Sequence, residues 1–520
     1  MNSPETAPAA PPPAATSWIE RAGKAIPDPI VLFIWMWLIV FAASVVMGGY
    51  QFEIRTPDGG TSTQTIRSMH AGENVRWIFD NMILANWLAF GGGVIGIILF
   101  IVMAVGVAEH TGLLGALIKR AGAAIPERYL ALAVVFLGIM SSLASDAGYV
   151  ILVPLAGLLY ASLGKHPLIG MAAAFAGVSA GFSANLIPGT TSDVIVGVNA
   201  RAFAEGAGMA FASADGRPLN PATMTYFFTA ASTFLLAPVG AWVTHRFIHR
   251  RVARIPFEIP RDLDVGAFGL TDAERKGLRA SLIGLVIGLV LVALLAVGPL
   301  APFTNPETGQ PVVPYLERLV LLIGLLFIIT GAAFGIGAGR VQGAMDVLQG
   351  MVKQMNTMGY VVVLSFFAYN ALSMFSYTGL GTLLTQLGAT GLVALGLQDA
   401  PILLLVAFIA LTAFINLLIG GLTSKWLLLG PLFVPMLYAV NPQMTPDVVA
   451  AAYRVGDSPT NIITPMMTYA GVILAFMRRY VPGFTLGEMF ILVAPYAFVF
   501  LGAWTAFLVA WVSLGIPLGF

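Results

Sequence analysis

Five ionisable residues stand in sequence that is otherwise apolar: Asp146, Asp193, Lys425, Arg454 and Asp457. A charged side chain at the centre of a bilayer costs about 2.5–3.5 kcal/mol on insertion scales, so it persists only beside a compensating partner or a water-filled cavity. Groups of this kind suit the binding of a charged solute or the carriage of a proton. Arg454 and Asp457 lie three apart, neighbours on one helix face if the helix that starts near Val448 continues this far. One reading makes them a static internal ion pair. The other has Arg454 hold a solute carboxylate while Asp457 carries an exchangeable proton. Burial favours the protonated acid and the guanidinium the ionised one, so occupancy by an anion would toggle the proton.

Two stretches about 276 residues apart look like copies of one device. The first runs from Asp146 through Tyr149 and Pro154 to Ser183-Ala184-Asn185 and on through Pro188 to Asp193; the second runs from Thr423-Ser424-Lys425-Trp426 through Pro431 to Asp457, Asn461 and Pro465. Each places a polar, Gly/Pro-interrupted break inside apolar sequence, and paired breaks in two halves of a hydrophobic chain point to a transporter's solute and ion site. Unwound backbone at Asn185 and Asn461 leaves carbonyls that, with amide and hydroxyl oxygens, make a hard-cation cage suited to Na⁺, with Asp193 as its charged member. The competing reading is a helix kink whose freed backbone is satisfied by Ser and Thr hydroxyls. Trp426 either stacks on an aromatic ligand or locks the tip of its turn. Asn416, uncharged and polar in an apolar helix, bonds a neighbouring helix more readily than a ligand.

The elements that must position these groups follow from composition. Of 520 residues 58% are apolar and only 10% charged, leaving too little polar surface for a soluble globule. The apolar runs are continuous over about 20 residues, which excludes a transmembrane barrel. The expectation is an all-α polytopic membrane protein. Nine spans are predicted near 30–50, 91–110, 167–203, 221–245, 280–300, 317–338, 359–390, 445–477 and 485–515. Two further apolar stretches, near 129–164 and 400–440, are broken at the centre. Each is either two full spans or a re-entrant hairpin, and the short legs around Asp146 favour hairpins.

With hairpins, segments 21–24, 119–165, 246–279, 340–353 and 478–479 share one face and carry 18 of the 26 Lys and Arg residues, so that face is cytoplasmic. The N-terminus is then cytoplasmic and the C-terminus periplasmic. The first hairpin enters from the cytoplasm and the second from outside, the relation an inverted repeat demands. Residues 1–27 read as a disordered tail, 28–254 and 280–520 as the two membrane halves, and 255–279 as a cytoplasmic connection. Residues 51–76 read as an external loop holding a small hairpin, and the basic cluster from His245 to Arg254 as a topological anchor. A net charge of +1 gives no field for nucleic acid, and the absence of Cys excludes disulfides and thiolate metal sites. There is no H-E-x-x-H, P-loop or G-x-S-x-G motif, so no enzyme is expected, and transport would draw on an ion gradient. A Na⁺-coupled dicarboxylate carrier and a channel are the competing functional readings.

The run from Ser424 through Trp426 and Pro431 to Met436, followed by Tyr453-Arg454-Val455-Gly456-Asp457-Ser458 and on to Pro465, closely resembles the AbgT family, the p-aminobenzoyl-glutamate transporters. The segment Ser183 to Asp193 is similar too, and the resemblance covers most of the chain from about residue 20. It implies nine spans plus two opposed hairpins, a homodimer with a cytoplasm-facing basin in a bacterial inner membrane, and a solute site at the hairpin tips. It also implies uptake of p-aminobenzoyl-glutamate or export of sulfonamide antimetabolites, with no cofactor unless Na⁺ binds. Family functional positions fall on Asp193, Asn416, Trp426, Pro446, Arg454, Asp457 and Pro465. Thr423 stands where the family usually has Ser three before the Trp, and the hydroxyl is kept. On this resemblance an aminobenzoyl ring would meet Trp426, and glutamyl carboxylates Arg454 or Lys425.

Overall fold

The computed structural model describes residues 27–55, 61–122, 126, 129–141, 148–259, 270–304, 311–464, 467 and 469–520. Residues 1–26 of the expected tail over 1–27, and the residues Asp146 and Pro465, lie outside this set. Helix α1 (Pro29–Met47) begins with a proline whose missing N–H costs nothing at the first helical position, while the Asp28 side chain accepts from the Ile30 N–H at 2.8 Å. It buries only Phe33, Val40 and Ser44, and leaves apolar residues such as Trp35 and Ile39 exposed. A helix that is apolar all round yet largely uncovered has lipid as its solvent. Strands β1 (Gln51–Arg55) and β2 (Thr61–Thr65) pair antiparallel as the small hairpin expected within 51–76, and α2 (Gly72–Asn81) follows them. Helices α3 (Val94–His110) and α4 (Leu113–Gly122) lead into the first hairpin.

Its legs are α5 (Leu130–Ser141) and α6 (Val153–Ser162), the second preceded by a π-helical turn at Gly148–Leu152. Twelve and ten residues are too few to cross about 30 Å of hydrocarbon at 1.5 Å per residue. The apolar run expected as one span over 167–203 is instead a broken helix. Helix α7 (Pro167–Phe175) passes through a π turn at Ala176–Ala180, unwinds, and resumes as α8 (Thr191–Gly206). Thr190 caps α8, and the Asp193 carboxylate returns to the Thr190 N–H at 3.0 Å, so the restart is built by a capping box. Helix α9 (Tyr226–Val243) closes the first half.

The second half contains α10 (Asp272–Val297), α11 (Leu319–Gly337), α12 (Ala344–Met355), α13 (Gly359–Tyr377) and α14 (Leu380–Ala394). The stretch expected as one span over 359–390 is thus two helices, turned at Gly379 in the left-handed region (φ 82°) that only glycine adopts freely. The second hairpin follows, with legs α15 (Pro401–Asn416) and α16 (Leu422–Val440). After it comes a second broken helix where one span was expected over 445–477: α17 (Pro446–Thr460), a 3₁₀ turn at Asn461–Ile463 and α18 (Ala470–Arg478). The long α19 (Leu486–Ser513) ends the fold.

Among the described residues eight helical stretches are long and apolar enough to cross a bilayer: α1, α3, α9, α10, α11, α12–α13, α16 and α19. Of the nine expected spans, the two missing from that set are the broken helices, while α16, a leg of the second hairpin, is in it. Both halves seat the first hairpin leg on the broken helix by the same means. At Gly177 a side chain would collide with the Val135 carbonyl of α5, and at Gly456 with the Ile409 carbonyl of α15, 2.6 Å from the Cβ position. These glycines lie 279 residues apart and do one job, as a repeated architecture requires. We predict that Gly456→Ala lowers stability by about 1–3 kcal/mol through overpacking against backbone that cannot move aside. Thermal unfolding of the purified protein in detergent checks this; an unchanged midpoint would mean the α15–α17 contact is loose.

Candidate functional site

The second leg of hairpin 400–440, the second broken helix and the first broken helix meet around four buried charges. Lys425 sits on the first turn of α16, Arg454 and Asp457 on α17, and Asp193 on the first turn of α8. Lys425 Nζ is 2.6 Å from Asp457 Oδ1, and both side chains are fully buried. Arg454 Nη1 is 2.6 Å from Asp193 Oδ1, with side-chain exposures of 2% and 7%. The static ion pair between Arg454 and Asp457, one of the two readings of their spacing, is therefore not what forms. Helix α17 does continue through both residues, but each finds a closer partner on another element, and four charges cancel in two crossed pairs. Taking ions out of water costs several kcal/mol each, so such groups are stable only as complete pairs.

Arg454 is further held from the first half: Nη1 donates to Thr225 Oγ1 at 3.1 Å and Nη2 to the Ser183 carbonyl at 2.9 Å. The Ser183 N–H donates to Ser458 Oγ on α17 at 3.0 Å. That carbonyl and N–H are free because the chain is unwound there, as the polar break predicts. Lys425 also donates to Asn416 Oδ1, while Asn416 Nδ2 lies 2.6–2.9 Å from the Asp457 carbonyl, Thr460 Oγ1 and Asn461 Oδ1. Asn416 thus ties the end of α15 to the break after α17, which agrees with the helix-bonding reading.

Trp426 is completely enclosed. Its Nε1 donates to the Val196 carbonyl of α8 at 2.9 Å, and its ring packs against Tyr453 (4.6 Å between centroids) and Phe203 (5.8 Å). In this conformation the indole locks the second hairpin onto the first half. Tyr453, whose hydroxyl donates to the Leu422 carbonyl at 2.6 Å, and Thr225 are site residues that sequence reasoning missed. Tyr453 is adjacent to Arg454 and could have been weighed with it; Thr225 lies in a loop 229 residues from Arg454 and gave no signal. Thr423 is half-buried beside Lys425. Pro446 starts α17, eight residues and about 12 Å along the helix from Arg454, so it shapes the helix end rather than the charge cluster.

The two asparagine turns stand in different groups. Asn185 Nδ2 is 3.4 Å from Asp193 Oδ2, whereas Asn461 bonds Asn416. Ser183 Oγ, Asn185 Oδ1 and Asp193 Oδ1 are buried oxygens without an aligned hydrogen bond, and so are both carboxylate oxygens of Asp457. Asp193 and Asp457 are instead satisfied by close contacts with their cations, 2.6 Å in each pair. Buried oxygens without hydrogen bonds, such as Ser183 Oγ and Asn185 Oδ1, are rare in protein interiors, and water or an ion is one way to satisfy them. Among the described residues no group of three His, Cys, Asp or Glu side chains forms a metal site.

Hairpins and interrupted helices that meet at buried charges define an all-α polytopic membrane protein of the carrier type. Comparison with known proteins agrees. The AbgT putative transporter family matches residues 15–520, and the chain belongs to that family. It is a transporter and not an enzyme. It is 28% identical over 506 residues to the p-aminobenzoyl-glutamate transport protein of Escherichia coli (strain K12), covering 96% of this chain and 95% of that one. Among solved structures it resembles the YdaH transporter of Alcanivorax borkumensis, described as having an unusual topology, with a TM-score of 0.83 and 34% identity over 95% of this chain and 100% of that one. It resembles Neisseria gonorrhoeae MtrF, placed in a class of antimetabolite efflux pumps, with a TM-score of 0.83 and 33% identity over 96% of this chain and 98% of that one.

Proposed function

We propose that this protein is a secondary active transporter of p-aminobenzoyl-glutamate and related compounds, acting as a homodimer in a bacterial inner membrane and driven by a gradient of H⁺, Na⁺ or both. The observation that carries the ion-driven part is the fully buried Lys425–Asp457 ion pair, 2.6 Å between Nζ and Oδ1. An anionic solute that takes Lys425 as its counter-ion leaves Asp457 to bind a proton, which couples the two. The oxygens of Ser183, Asn185 and Asp193 have the hard-donor chemistry that Na⁺ needs. The solute class comes from the named relative in Escherichia coli, and export of sulfonamide-type antimetabolites is the second reading, favoured by the likeness to MtrF.

Flux in proteoliposomes with H⁺ and Na⁺ gradients imposed one at a time tests the proposal. Accumulation of labelled p-aminobenzoyl-glutamate that collapses when the effective gradient is dissipated is the expected result. Transport of succinate in preference to it would make the protein a dicarboxylate carrier, and flux that never exceeds equilibrium would make it a channel.

A further inference from the structure

A cavity of about 620 Å³ opens at the far end of α17, between the starts of α15 and α17, the end of α19 and the loop after α8. Much of its wall is apolar, including Ile402, Leu405, Val448 and Val512. The titratable side chains lining it are Asp215, Arg217 and Asp447. Arg217 Nε is 2.6 Å from Asp215 Oδ2, and these two cancel at the exposed rim. Asp447 is only 5% exposed; Thr445 Oγ1 donates to it at 2.6 Å, and among the described residues no basic side chain pairs with it. The lining therefore holds one carboxyl group without a basic partner, set deep in apolar walls, and in its ionised form it focuses a negative field into the cavity.

Asp447 lies on the same helix as Asp457, ten residues and about 15 Å further along. Val449 to Tyr453, between them, are wholly buried, so the cavity ends above the charge cluster rather than opening into it. Three of those five residues are alanines, a thin partition. An anionic solute is disfavoured in such a cavity and a cation is favoured.

We propose that this cavity is an outer port for the coupling cation, H⁺ or Na⁺, and that Asp447 is the group that first receives it. This rests on the ion-driven reading above. Asp447 in the first turn also suits the positive end of the helix, so its substitution needs a control for that role. Asp447→Asn keeps the size and the acceptor for Thr445 Oγ1 while removing the charge, and Asp447→Glu, which keeps the charge at the helix start, is its control.

The test has two arms. The chain contains no cysteine, so Val448→Cys introduces a single thiol into the cavity. In proteoliposomes a cationic methanethiosulfonate reagent should modify it at least about tenfold faster than an anionic one of similar size, a preference of the order that focused charge gives. Adding Asp447→Asn should remove that preference. In the second arm, Asp447→Asn in the full-length carrier should raise the external cation concentration for half-maximal flux several-fold with the solute KM unchanged, and Asp447→Glu should restore it. Equal modification by both reagents, or a preference that survives Asp447→Asn, would overturn the port. So would an unaltered cation dependence in Asp447→Asn where Asp457→Asn abolishes coupling. If wild-type flux ignores both gradients, the proposed energy coupling fails instead, and the reagent preference still decides whether the cavity selects cations.

Discussion

Asp193→Asn is expected to destabilise the protein by about 3–5 kcal/mol and to abolish transport, because it strands the Arg454 guanidinium in the interior. Arginine cannot discharge itself by losing a proton, and its remaining partners, Thr225 Oγ1 and the Ser183 carbonyl, are neutral. Arg454→Lys should fail for a related reason: a single ammonium cannot reach three acceptors that the planar guanidinium spans. The informative comparison is the double variant Asp193→Asn with Arg454→Met. Removing both charges should recover most of the stability while leaving transport lost, since replacing a whole buried pair by apolar groups is often neutral. Thermal unfolding in detergent, read beside flux, separates these outcomes. If the double variant is no more stable than the single ones, the pair does not act as a unit.

Asp457→Asn should behave differently. Here the stranded cation is Lys425, which can shed its proton and keep its bond to Asn416, so the variant should stay folded and membrane-inserted. Gradient-coupled flux should nevertheless fall to the level of passive exchange, because the one carboxylate in this pair that can take up and release a proton is gone. Solute counterflow without a gradient should persist. A variant that retains wild-type pH dependence of driven flux would remove Asp457 from the proton role.

Much of this was legible in the sequence. The length and composition of the apolar runs announced a helical membrane protein, and the paired polar interruptions marked the places near 183–190 and 461–464 where the helices unwind, although each was counted inside one span. Hydropathy alone failed at 167–203 and 445–477, where it sees one long apolar run and not the unwound turns within it. Those turns are set by Asn, Ser, Thr and Pro residues too few to lower a window average. The five charges stood out because charge in apolar sequence is rare, and the four that the structure describes come together in two ion pairs. Their pairing was not legible. Spacing along one helix proposes Arg454 with Asp457, whereas the structure joins Arg454 to a residue 261 positions earlier, a choice made by the packing of two halves. The full enclosure of Trp426 was likewise invisible, since a tryptophan at a hairpin tip reads the same whether it faces a ligand or a helix.

The bond between Arg454 and Asp193 also bears on how the chain is made. Synthesis runs from the N-terminus, so Asp193 leaves the ribosome long before its counter-ion exists, while Lys425 waits only 32 residues for Asp457. Within the early half Asp193 has only Thr190 and Asn185 as partners, so that half balances its buried charge only when the second half docks on it. A membrane protein wired in this way completes its own quality check only when its last third arrives.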